Sequence, residues 1–345
     1  MSNEKTFNVA VVGATGAVGE QIIRLLDERN FPIKELKFLS SPRSAGTKIR
    51  FKDRDITVEA ATPDSFKGVD IALFSAGGDV SKELAPIAAA GGTICIDNTN
   101  AFRMDPETPL VVPEVNIEEV HKHKGIIANP NCSTIQMVAA LKPLYDRFGI
   151  SKIIVSTYQA VSGAGSKAID EMLRQSREAL AGNPVNPDIL PVGSLPVKHQ
   201  IAFNAIPQID KFLDNGFTNE EMKMINETKK IMNDESLEVT ATCVRIPVVY
   251  GHSESVYVEL KEDFELEEVR SLLADAPGIV LLDNPQEQQY PLATEAAGKL
   301  ETFVGRVRRD LHNKRALNLW IVSDNLLKGA AWNAVQIAEY FAQNK

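Results

Sequence analysis

Short apolar runs alternate with helical stretches along the first part of the chain. An apolar run at 7–12 enters a glycine-rich turn, and 18–29 then repeats apolar residues at the spacing of one helix face. The same alternation continues with predicted strands at 35–39, 71–74 and 93–96 and a predicted helix at 81–90. Apolar strands separated by helices are typical of a parallel sheet covered on both faces, so we expect a Rossmann-like, doubly wound α/β domain at the N-terminus.

Longer strands are predicted after Lys152. They lie at 153–160, 239–249 and 255–260, with helices at 167–181 and 219–232 between them. This order predicts an α+β domain with a mixed sheet. Five prolines between 183 and 207 argue against regular structure in that stretch, and the apolar residues among them predict an extended, packed excursion that could cover a partner subunit.

The change of pattern divides the chain into two predicted domains. The amphipathic tail at 325–341 is predicted to return to the first domain, which then comprises 1–130 with 325–345. The second domain comprises 131–324. The length of 345 residues fits two domains that bury enough surface to need no structural metal or disulfide framework.

Composition and charge exclude several classes of protein. Hydrophobic residues make up 44% of the chain and charged residues 24%, which excludes a disordered or fibrous protein. A net charge of −9 argues against nucleic acid or an anionic membrane as the main partner, and no apolar run is long enough to span a bilayer. Three separated cysteines and an N-terminus without a leader-like segment predict a cytoplasmic protein without a metal site.

A glycine turn joins the first strand to the first helix. Gly13, Gly16 and Gly19 lie where small residues let main-chain N–H groups approach a pyrophosphate, so the turn predicts nucleotide binding rather than only a tight connection. The second strand ends in a segment with Arg43 and Ser44 and without a carboxylate, which favours NADP over NAD. The alternative is a polar loop in which Arg43 is only solvated.

Cys132 immediately precedes an apolar, helix-like stretch. A thiol at a helix N-terminus faces unpaired N–H groups and the positive end of the helix dipole, which favour the thiolate. Cys132 is therefore a candidate nucleophile, and the alternative is a core residue at a helix start. Cys95 and Cys243 lie inside strand-like runs, where cysteine is usually a small buried hydrophobe.

His252 is the candidate proton acceptor among five histidines. It follows Gly251 at the end of a predicted strand, where a glycine turn can present a side chain to a cleft. Arg245 lies seven positions earlier, so on one unbroken strand the two side chains would face opposite ways. Pro247 and Gly251 could break that alternation.

Together these segments resemble the aspartate-semialdehyde dehydrogenase family, in its shorter, Gram-positive-type branch. The resemblance covers essentially the whole chain. The matching motifs are at 13–19, 131–134, 158–165, 220–223, 243–245 and 251–253. Several motifs in one order are far more specific than any one of them alone.

The resemblance implies a reaction. The thiolate of Cys132 adds to the aldehyde of aspartate semialdehyde, a hydride passes to NADP, and inorganic phosphate opens the thioester to give aspartyl phosphate. The biosynthetic flow is the reverse, toward lysine and diaminopimelate, methionine and threonine. The implied assembly is a homodimer, or a tetramer of two such dimers, with the second domain supplying catalysis and the dimer contact.

The resemblance also implies a role for individual residues. The catalytic residues are Cys132, His252 as acid and base, and Gln159, which orients the thioacyl group. The substrate residues are Gln159, Glu220 and Arg245, and the phosphate residues are Arg103, Lys223 and Asn131. The NADP residues are Gly13, Thr15, Gly16, Ala17, Val18, Arg43, Ser44, Ser75, Ser162, Gly163 and Asn325, the last at the opening of the C-terminal helix.

Other interpretations remain open at this point. If the family resemblance is set aside, the spacing of Glu220 and Lys223 predicts an exposed ion pair on a helix. Thr218 and Glu221 would cap that helix. The enzyme alternatives are an N-acetyl-glutamyl-phosphate reductase, which would have less use for Glu220, and a cysteine hydrolase. A non-enzymatic NADP-binding sensor with Cys132 as a redox switch is the third alternative.

Overall fold

The computed structural model describes residues 6–344. The chain divides into two compact units, one of Met1–Asn131 with Ala330–Lys345 and the other of Cys132–Gly329. The predicted divisions lie after residues 130 and 324. The expectation that the N-terminus carries no leader concerns residues 1–5, which lie outside the described residues.

The first unit contains a parallel sheet of six strands. Their order across the sheet is β5-β2-β1-β6-β7-β8, and every neighbouring pair is parallel. The elements are β1 (Phe7–Val12), α1 (Ala17–Glu28), β2 (Ile33–Ser40), β3 (Lys48–Phe51), β4 (Arg54–Thr57), β5 (Glu59–Ala60), β6 (Ile71–Phe74), α2 (Gly78–Ala90), β7 (Ile94–Asp97), α3 (Pro113–Asn116) and β8 (Ile126–Ala128). The predicted Rossmann-like sheet is confirmed, and the sequence pattern missed the edge strands β5 and β8, the helix α3 and the β3–β4 hairpin.

The glycine turn after β1 is fixed by close packing. A Cβ atom on Gly19 would lie 2.1 Å from the carbonyl oxygen of Gly13, which no side chain tolerates. Gly13 itself has φ +88°, and a Cβ atom there would lie 2.8 Å from the carbonyl carbon of Ser75. Glycine is therefore required for α1 to start directly behind the strand.

The second unit contains a mixed sheet, as predicted. The strand order is β10-β9-β11-β14-β13-β12, with parallel pairs at both edges and antiparallel pairs between them. The elements are α4 (Cys132–Phe148), β9 (Ile150–Gln159), α5 (Ser166–Leu180), α6 (Asn219–Met232), β10 (Glu238–Arg245), β11 (His252–Leu260), α7 (Leu266–Asp275), β12 (Ile279–Leu281), α8 (Ala293–Ala296), β13 (Thr302–Arg309) and β14 (Ala316–Ser323). None of the elements between 261 and 324 was anticipated from the sequence.

The chain ends in α9 (Trp332–Gln343), which belongs to the first unit and packs against α1. The helical stretch predicted from Asn325 begins two residues later, at Leu327, where the Asp324 carboxylate accepts the N–H groups of Leu326 and Leu327. β14 ends at Ser323, and a π-helical turn at Leu327–Ala331 precedes α9. A single π-helical turn at the start of an α-helix is too short to alter the amphipathic pattern of the whole tail, so the sequence does not reveal it.

The predicted excursion at 183–207 has neither a helix nor a regular strand. Leu190, Ile201 and Ile206 are nevertheless buried, in a cluster that includes Met172 of α5. Two side chains of α5 hold its main chain. Glu171 accepts hydrogen bonds from the N–H groups of residues 188–190, and Gln175 accepts them from residues 201 and 202. Together, these bonds satisfy main-chain donors that no sheet partner could satisfy.

Helix α6 begins with a capping box. The hydroxyl of Thr218 accepts a hydrogen bond from the Glu221 N–H at 3.3 Å, and the Glu221 carboxylate accepts one from the Thr218 N–H at 2.7 Å. The second carboxylate oxygen of Glu221 accepts a bond from the N–H of Cys243 on β10 at 3.0 Å. The cap therefore also attaches the helix to the sheet.

No helix within residues 6–344 is both long and apolar enough to cross a membrane.

We expect Thr218→Ala to lower the unfolding free energy by about 1 kcal/mol, because an orphaned N–H group at a helix start loses its acceptor. Thr218→Ser keeps the hydroxyl and should lose much less. Equilibrium urea unfolding of the two variants measures the difference. Equal losses in both variants would mean that the methyl group, and not the cap, matters.

Candidate functional site

The ends of three neighbouring strands in the second unit bring predicted site residues together. Gln159 is the last residue of β9, and Arg245 is the last residue of β10, directly opposite it in register. His252 is the first residue of β11, on the other side of β9. All three side chains are buried, with exposures of 1%, 4% and 0%. Residues that are distant in sequence therefore form one buried row.

The seven-residue separation of Arg245 and His252 is no obstacle, because the strand predicted at 239–249 is two separate elements. β10 ends at Arg245, and Gly251 with φ +91° turns the chain into β11. Pro247 cannot donate to a ladder, which limits the strand. The two side chains can thus share one face of the sheet without breaking the alternation along either strand.

The peptide groups of Ala160 hold both of these side chains. The carbonyl oxygen of Ala160 accepts a hydrogen bond from Arg245 Nη1 at 2.7 Å, and its N–H donates to His252 Nδ1 at 3.1 Å. A Cβ atom on Gly163 would lie 3.0 Å from Arg245 Nη1 and 3.4 Å from His252 Nε2. A residue with a side chain at 163 would therefore crowd both groups.

The contact with Ala160 decides the tautomer of His252. Because Nδ1 accepts a hydrogen bond, the proton of the neutral ring is on Nε2, which has no partner among the described residues. Burial, and then the charge of Arg245, lower the pKa of His252 to about 3. The ring is therefore a neutral N–H donor near neutral pH, aimed at a position where no protein acceptor lies.

A carboxylate completes this row. Glu220 lies near the start of α6, is only 5% exposed, and accepts a hydrogen bond from Gln159 Nε2 at 3.3 Å. Lys223, one turn later, pairs with Glu220 at 3.1 Å and with Asp210 at 3.3 Å. The interpretation of Glu220 as an exposed surface residue is wrong, because the helix packs this position against the ends of β9 and β10.

Cys132 is the first residue of α4 and is partly exposed. Gly329 lies against it, since a Cβ atom at 329 would be 2.7 Å from the Cys132 Cβ atom. The other two cysteines are buried, as expected for small core residues. Burial raises the pKa of Cys95 to about 12 and that of Cys243 as well, so neither is a nucleophile at neutral pH.

Asn325 connects two more of the predicted residues. Its side chain exchanges hydrogen bonds with the Ser162 hydroxyl at 3.0 and 3.2 Å, and its Oδ1 atom accepts one from the Gly251 N–H at 3.0 Å. Both side chains are buried. Asn325 therefore fixes the turn that leads into His252 as well as the segment of Ser162 and Gly163.

The glycine turn of the first unit lines a pocket of about 600 Å³. Thr15 Oγ1 lies 2.9 Å from Ser40 Oγ and 3.4 Å from Ser44 Oγ, which makes a cluster of hydroxyl groups beside α1. Arg43 is exposed and does not line the pocket. The lining is Val12, Gly13, Thr15, Gly16, Ser40, Ser41, Pro42, Ser44, Ala61, Thr62, Pro63, Ser75, Ala76, Val80, Glu83 and Leu84.

This pocket fits a dinucleotide. Its volume lies in the range of cofactor sites. The N–H groups of Ala17 and Val18 in the first turn of α1 have no hydrogen-bond acceptor within the helix, so they can bind an anion. The sequence missed the residues at 61–63 and Glu83, because β5 and the start of α2 approach the glycine turn only in the fold. The rule that ligands bind at the carboxyl ends of parallel strands could have suggested them.

Two of the predicted phosphate residues belong to the first unit. Arg103 is 8% exposed and donates hydrogen bonds to the carbonyl oxygens of Asn98 and Asn129, both at 2.9 Å. Asn131 is 6% exposed and ends this unit. The third, Lys223, belongs to the second unit.

Comparisons with known proteins agree with this arrangement. The family model "Semialdehyde dehydrogenase, NAD binding domain" matches 8–123, and "Semialdehyde dehydrogenase, dimerisation domain" matches 141–328. An aspartate-semialdehyde dehydrogenase of Bacillus subtilis is 60% identical over 333 residues, or 96% of either chain. The chain belongs to the aspartate-semialdehyde dehydrogenase family. The predicted resemblance, including its Gram-positive-type branch, is confirmed.

Solved structures of aspartate-semialdehyde dehydrogenases share the fold. The structure of aspartate semialdehyde dehydrogenase II from Vibrio cholerae has a TM-score of 0.93 at 50% identity and covers 99% of both chains. The same enzyme has been described in complex with ASA. The Candida albicans enzyme with NADP has a TM-score of 0.73 at 26% identity.

One buried acid of this aspartate-semialdehyde dehydrogenase family member was not anticipated. Glu254 lies two residues after His252 on the same face of β11 and is 0% exposed. Neither of its carboxylate oxygens has a hydrogen-bond partner of ordinary geometry within residues 6–344, and the nearby Gln136 side chain offsets the effect of burial only in part. Burial raises the pKa of Glu254 well above its ordinary value, so the carboxyl is protonated near neutral pH.

No group of three acidic, histidine or cysteine residues within residues 6–344 could hold a metal ion.

We expect Glu254→Gln to stabilise the protein increasingly as the pH rises above about 4.3, the ordinary pKa of a glutamate in an unfolded chain. The folded protein keeps the proton that the unfolded chain loses, so the native protein loses stability over this range and the glutamine variant does not. At pH 7 the difference should be roughly 1 kcal/mol or more. Thermal unfolding from pH 4 to pH 8 measures it.

Glu267→Gln is the matched control, because Glu267 is exposed on α7. That variant should follow the wild type at every pH. A stability gain in Glu254→Gln that stays constant with pH would show that Glu254 is ionised in the folded protein.

Proposed function

We propose that the chain is a phosphorylating, NADP-dependent aspartate-semialdehyde dehydrogenase. It reduces L-4-aspartyl phosphate to L-aspartate 4-semialdehyde and phosphate through a cysteine thioester. The reaction is reversible. The observation that carries this is the row of Gln159, Arg245, His252 and Glu220, buried in the unit whose first helix begins with Cys132. The activity of the aspartate-semialdehyde dehydrogenase family supplies the substrate class.

Substrate binding follows from two opposite charges. An amino acid carries a carboxylate and an ammonium group, so its site needs a cation with fixed geometry and a carboxylate. Arg245 is held by Ala160, and Glu220 is held by Gln159. We assign the substrate carboxylate to Arg245 and the ammonium group to Glu220. Burial makes each contact stronger than it would be in water.

The covalent step begins at Cys132. The start of α4 favours the thiolate, which adds to the aldehyde carbon and forms a thiohemiacetal oxyanion. The Nε2–H group of His252 donates to that oxyanion. Because the anion already carries the electron pair, loss of hydride gives the thioester without removal of a further proton. His252 thus acts first as a donor, and the role of proton acceptor for Cys132 needs a different tautomer.

Gln159 is assigned to the carbonyl oxygen of the thioester. Arg103, Lys223 and Asn131 are assigned to the phosphate that opens the thioester. The two cations, Arg103 and Lys223, neutralise a phosphate dianion. An acidic protein needs such local positive charge to bind an anion.

The cofactor assigned to the pocket of the first unit is NADP, which supplies or accepts the hydride when bound. Gly13, Thr15, Gly16, Ala17 and Val18 hold the pyrophosphate. The hydroxyl groups near Thr15, the absence of a carboxylate at the end of β2, and the neighbouring Arg43 favour a 2′-phosphate. Ser75, Ser162, Gly163 and Asn325 are assigned to the rest of the cofactor, with Ser162, Gly163 and Asn325 at the nicotinamide.

The assembly that we propose is a cytoplasmic homodimer, or a pair of dimers. Alternate positions of β9 stay partly exposed, including Ile154 at 43%. This face mixes polar and apolar residues, namely Lys152, Ile154, Ser156 and Tyr158, and a partly exposed sheet face can serve as the interface for a second copy. The family model for this unit is that of a dimerisation domain.

We expect Cys132→Ala to abolish NADPH formation from aspartate semialdehyde while NADP binding stays intact, because the nucleophile is lost and the pocket of the first unit is not. Turnover is followed at 340 nm with and without phosphate, and binding by NADP titration of intrinsic fluorescence. Cys95→Ala is the control and should keep turnover, since Cys95 is buried in β7.

Two results would contradict the proposal. Undiminished turnover in Cys132→Ala would exclude the thioester mechanism. Turnover of the wild type with an N-acetylated glutamate semialdehyde, but not with aspartate semialdehyde, would overturn the assignments of Glu220 and Arg245.

We expect Arg43→Ala to raise the KM for NADP about tenfold and to leave the KM for NAD unchanged, because an arginine near the 2′-phosphate contributes on the order of 1 kcal/mol. Arg50→Ala on β3 is the control, since Arg50 is an exposed arginine paired with Asp55. Equal efficiency of the wild type with NAD and NADP would show that Arg43 is only solvated.

A further inference from the structure

Arg103 is anchored by the main chain at the carboxyl ends of two neighbouring strands. Its Nε atom donates to the carbonyl oxygen of Asn129, which follows β8, and its Nη2 atom donates to that of Asn98, which follows β7. β7 and β8 are parallel neighbours, and the carboxyl edge of such a sheet is where anions and nucleotides bind. The orientation of the guanidinium therefore depends on where these two carbonyl groups are held.

The side chains of the same two asparagines hold each other. Asn129 Nδ2 donates to Asn98 Oδ1 at 2.6 Å. Asn333 of α9 donates through Nδ2 to Asn129 Oδ1 at 2.7 Å. Asn129 and Asn333 are both fully buried, at 0% exposure. Three amide groups thus form a continuous chain, which we call the asparagine relay.

Further main-chain contacts fix both ends of the asparagine relay. Asn129 Nδ2 also donates to the carbonyl oxygen of Ala330 at 3.2 Å, and Asn333 Nδ2 donates to that of Val111 at 3.0 Å. Each buried amide can satisfy these partners in only one of its two flipped orientations. A reversal would leave buried donors and acceptors unpaired, which costs more than a hydrogen bond contributes. The relay therefore has one arrangement.

We propose that the asparagine relay is a positioning device for Arg103 at the phosphate site, an inference that rests on the proposed function. The relay fixes the peptide groups of Asn98 and Asn129, and their carbonyl oxygens hold the guanidinium in the orientation that the phosphate requires. Its far end is in α9, so the C-terminal helix contributes to the phosphate site although no residue of α9 is assigned to phosphate. Asn129 also stands two residues before Asn131.

If the asparagine relay served only to stabilise the fold, variants of it would have different kinetic effects. Loss of packing alone would lower the melting temperature and impair every kinetic constant together. A positioning role affects the step that uses phosphate and spares the hydride step, because the thioester forms before phosphate is needed. The two halves of the reaction can be measured separately, which makes the distinction possible.

The test uses Asn98→Ala, because Asn98 is half-buried and loses only the acceptor of the 2.6 Å bond to Asn129. We expect the KM for inorganic phosphate to rise about tenfold, the effect of weakening a hydrogen bond to a charged group. The KM values for aspartate semialdehyde and NADP, and the single-turnover formation of NADPH without phosphate, should stay within about twofold of the wild type. Asn100→Ala is the control, since Asn100 is exposed in the same loop, and it should change none of these.

Asn333→Ala supplies a second, independent test from the other end of the asparagine relay. It should raise the KM for phosphate in the same selective way, and the double variant should be no worse than about the larger single effect, since both act through Asn129. An unchanged KM for phosphate in Asn98→Ala, or parallel losses in both halves of the reaction, would overturn the proposal. Turnover of the wild type that needs no phosphate would instead refute the proposed function.

Discussion

One residue, Ala160, determines the arrangement of the second unit's site. Its carbonyl oxygen binds the guanidinium of Arg245 and its N–H group binds the ring of His252, so both side chains are held by a main chain that follows β9 directly. The same contact assigns the proton of the neutral imidazole to Nε2. Fixed donors in a buried site need no reorganisation during a reaction, which is the main physical advantage of such an arrangement.

The capping box of α6 connects this row to its carboxylate. Glu221 caps the helix with one oxygen and accepts the N–H of Cys243 with the other, so the helix start is attached to β10. Glu220 is thereby placed beside Gln159 instead of in solvent. A local capping motif, readable from the sequence, acquires its functional consequence only through this second contact with the sheet.

Arg103, which we propose for phosphate binding, is held in a comparable way in the first unit. Arg103 binds main-chain carbonyl groups at the ends of β7 and β8, and the asparagine relay holds those ends. In both units, main-chain carbonyl groups just beyond a strand accept hydrogen bonds from a buried arginine. Backbone carbonyls satisfy a guanidinium without neutralising it, so its charge stays available for an anion.

The sequence by itself determined the Rossmann-like sheet, the capped helix α6 and the place of Cys132 at a helix start, because apolar periodicity, glycine turns and helix starts are local signals. Only the tertiary structure decided the burial of Glu220 and Glu254, the tautomer of His252 and the main-chain partners of Arg103. Each of these depends on hydrogen bonds and burial between residues far apart in sequence, which no local pattern encodes. The same reason explains why the strand predicted at 239–249 ends at Arg245 instead, since the contacts of its last residue with Gln159 and Ile206 decide where it ends.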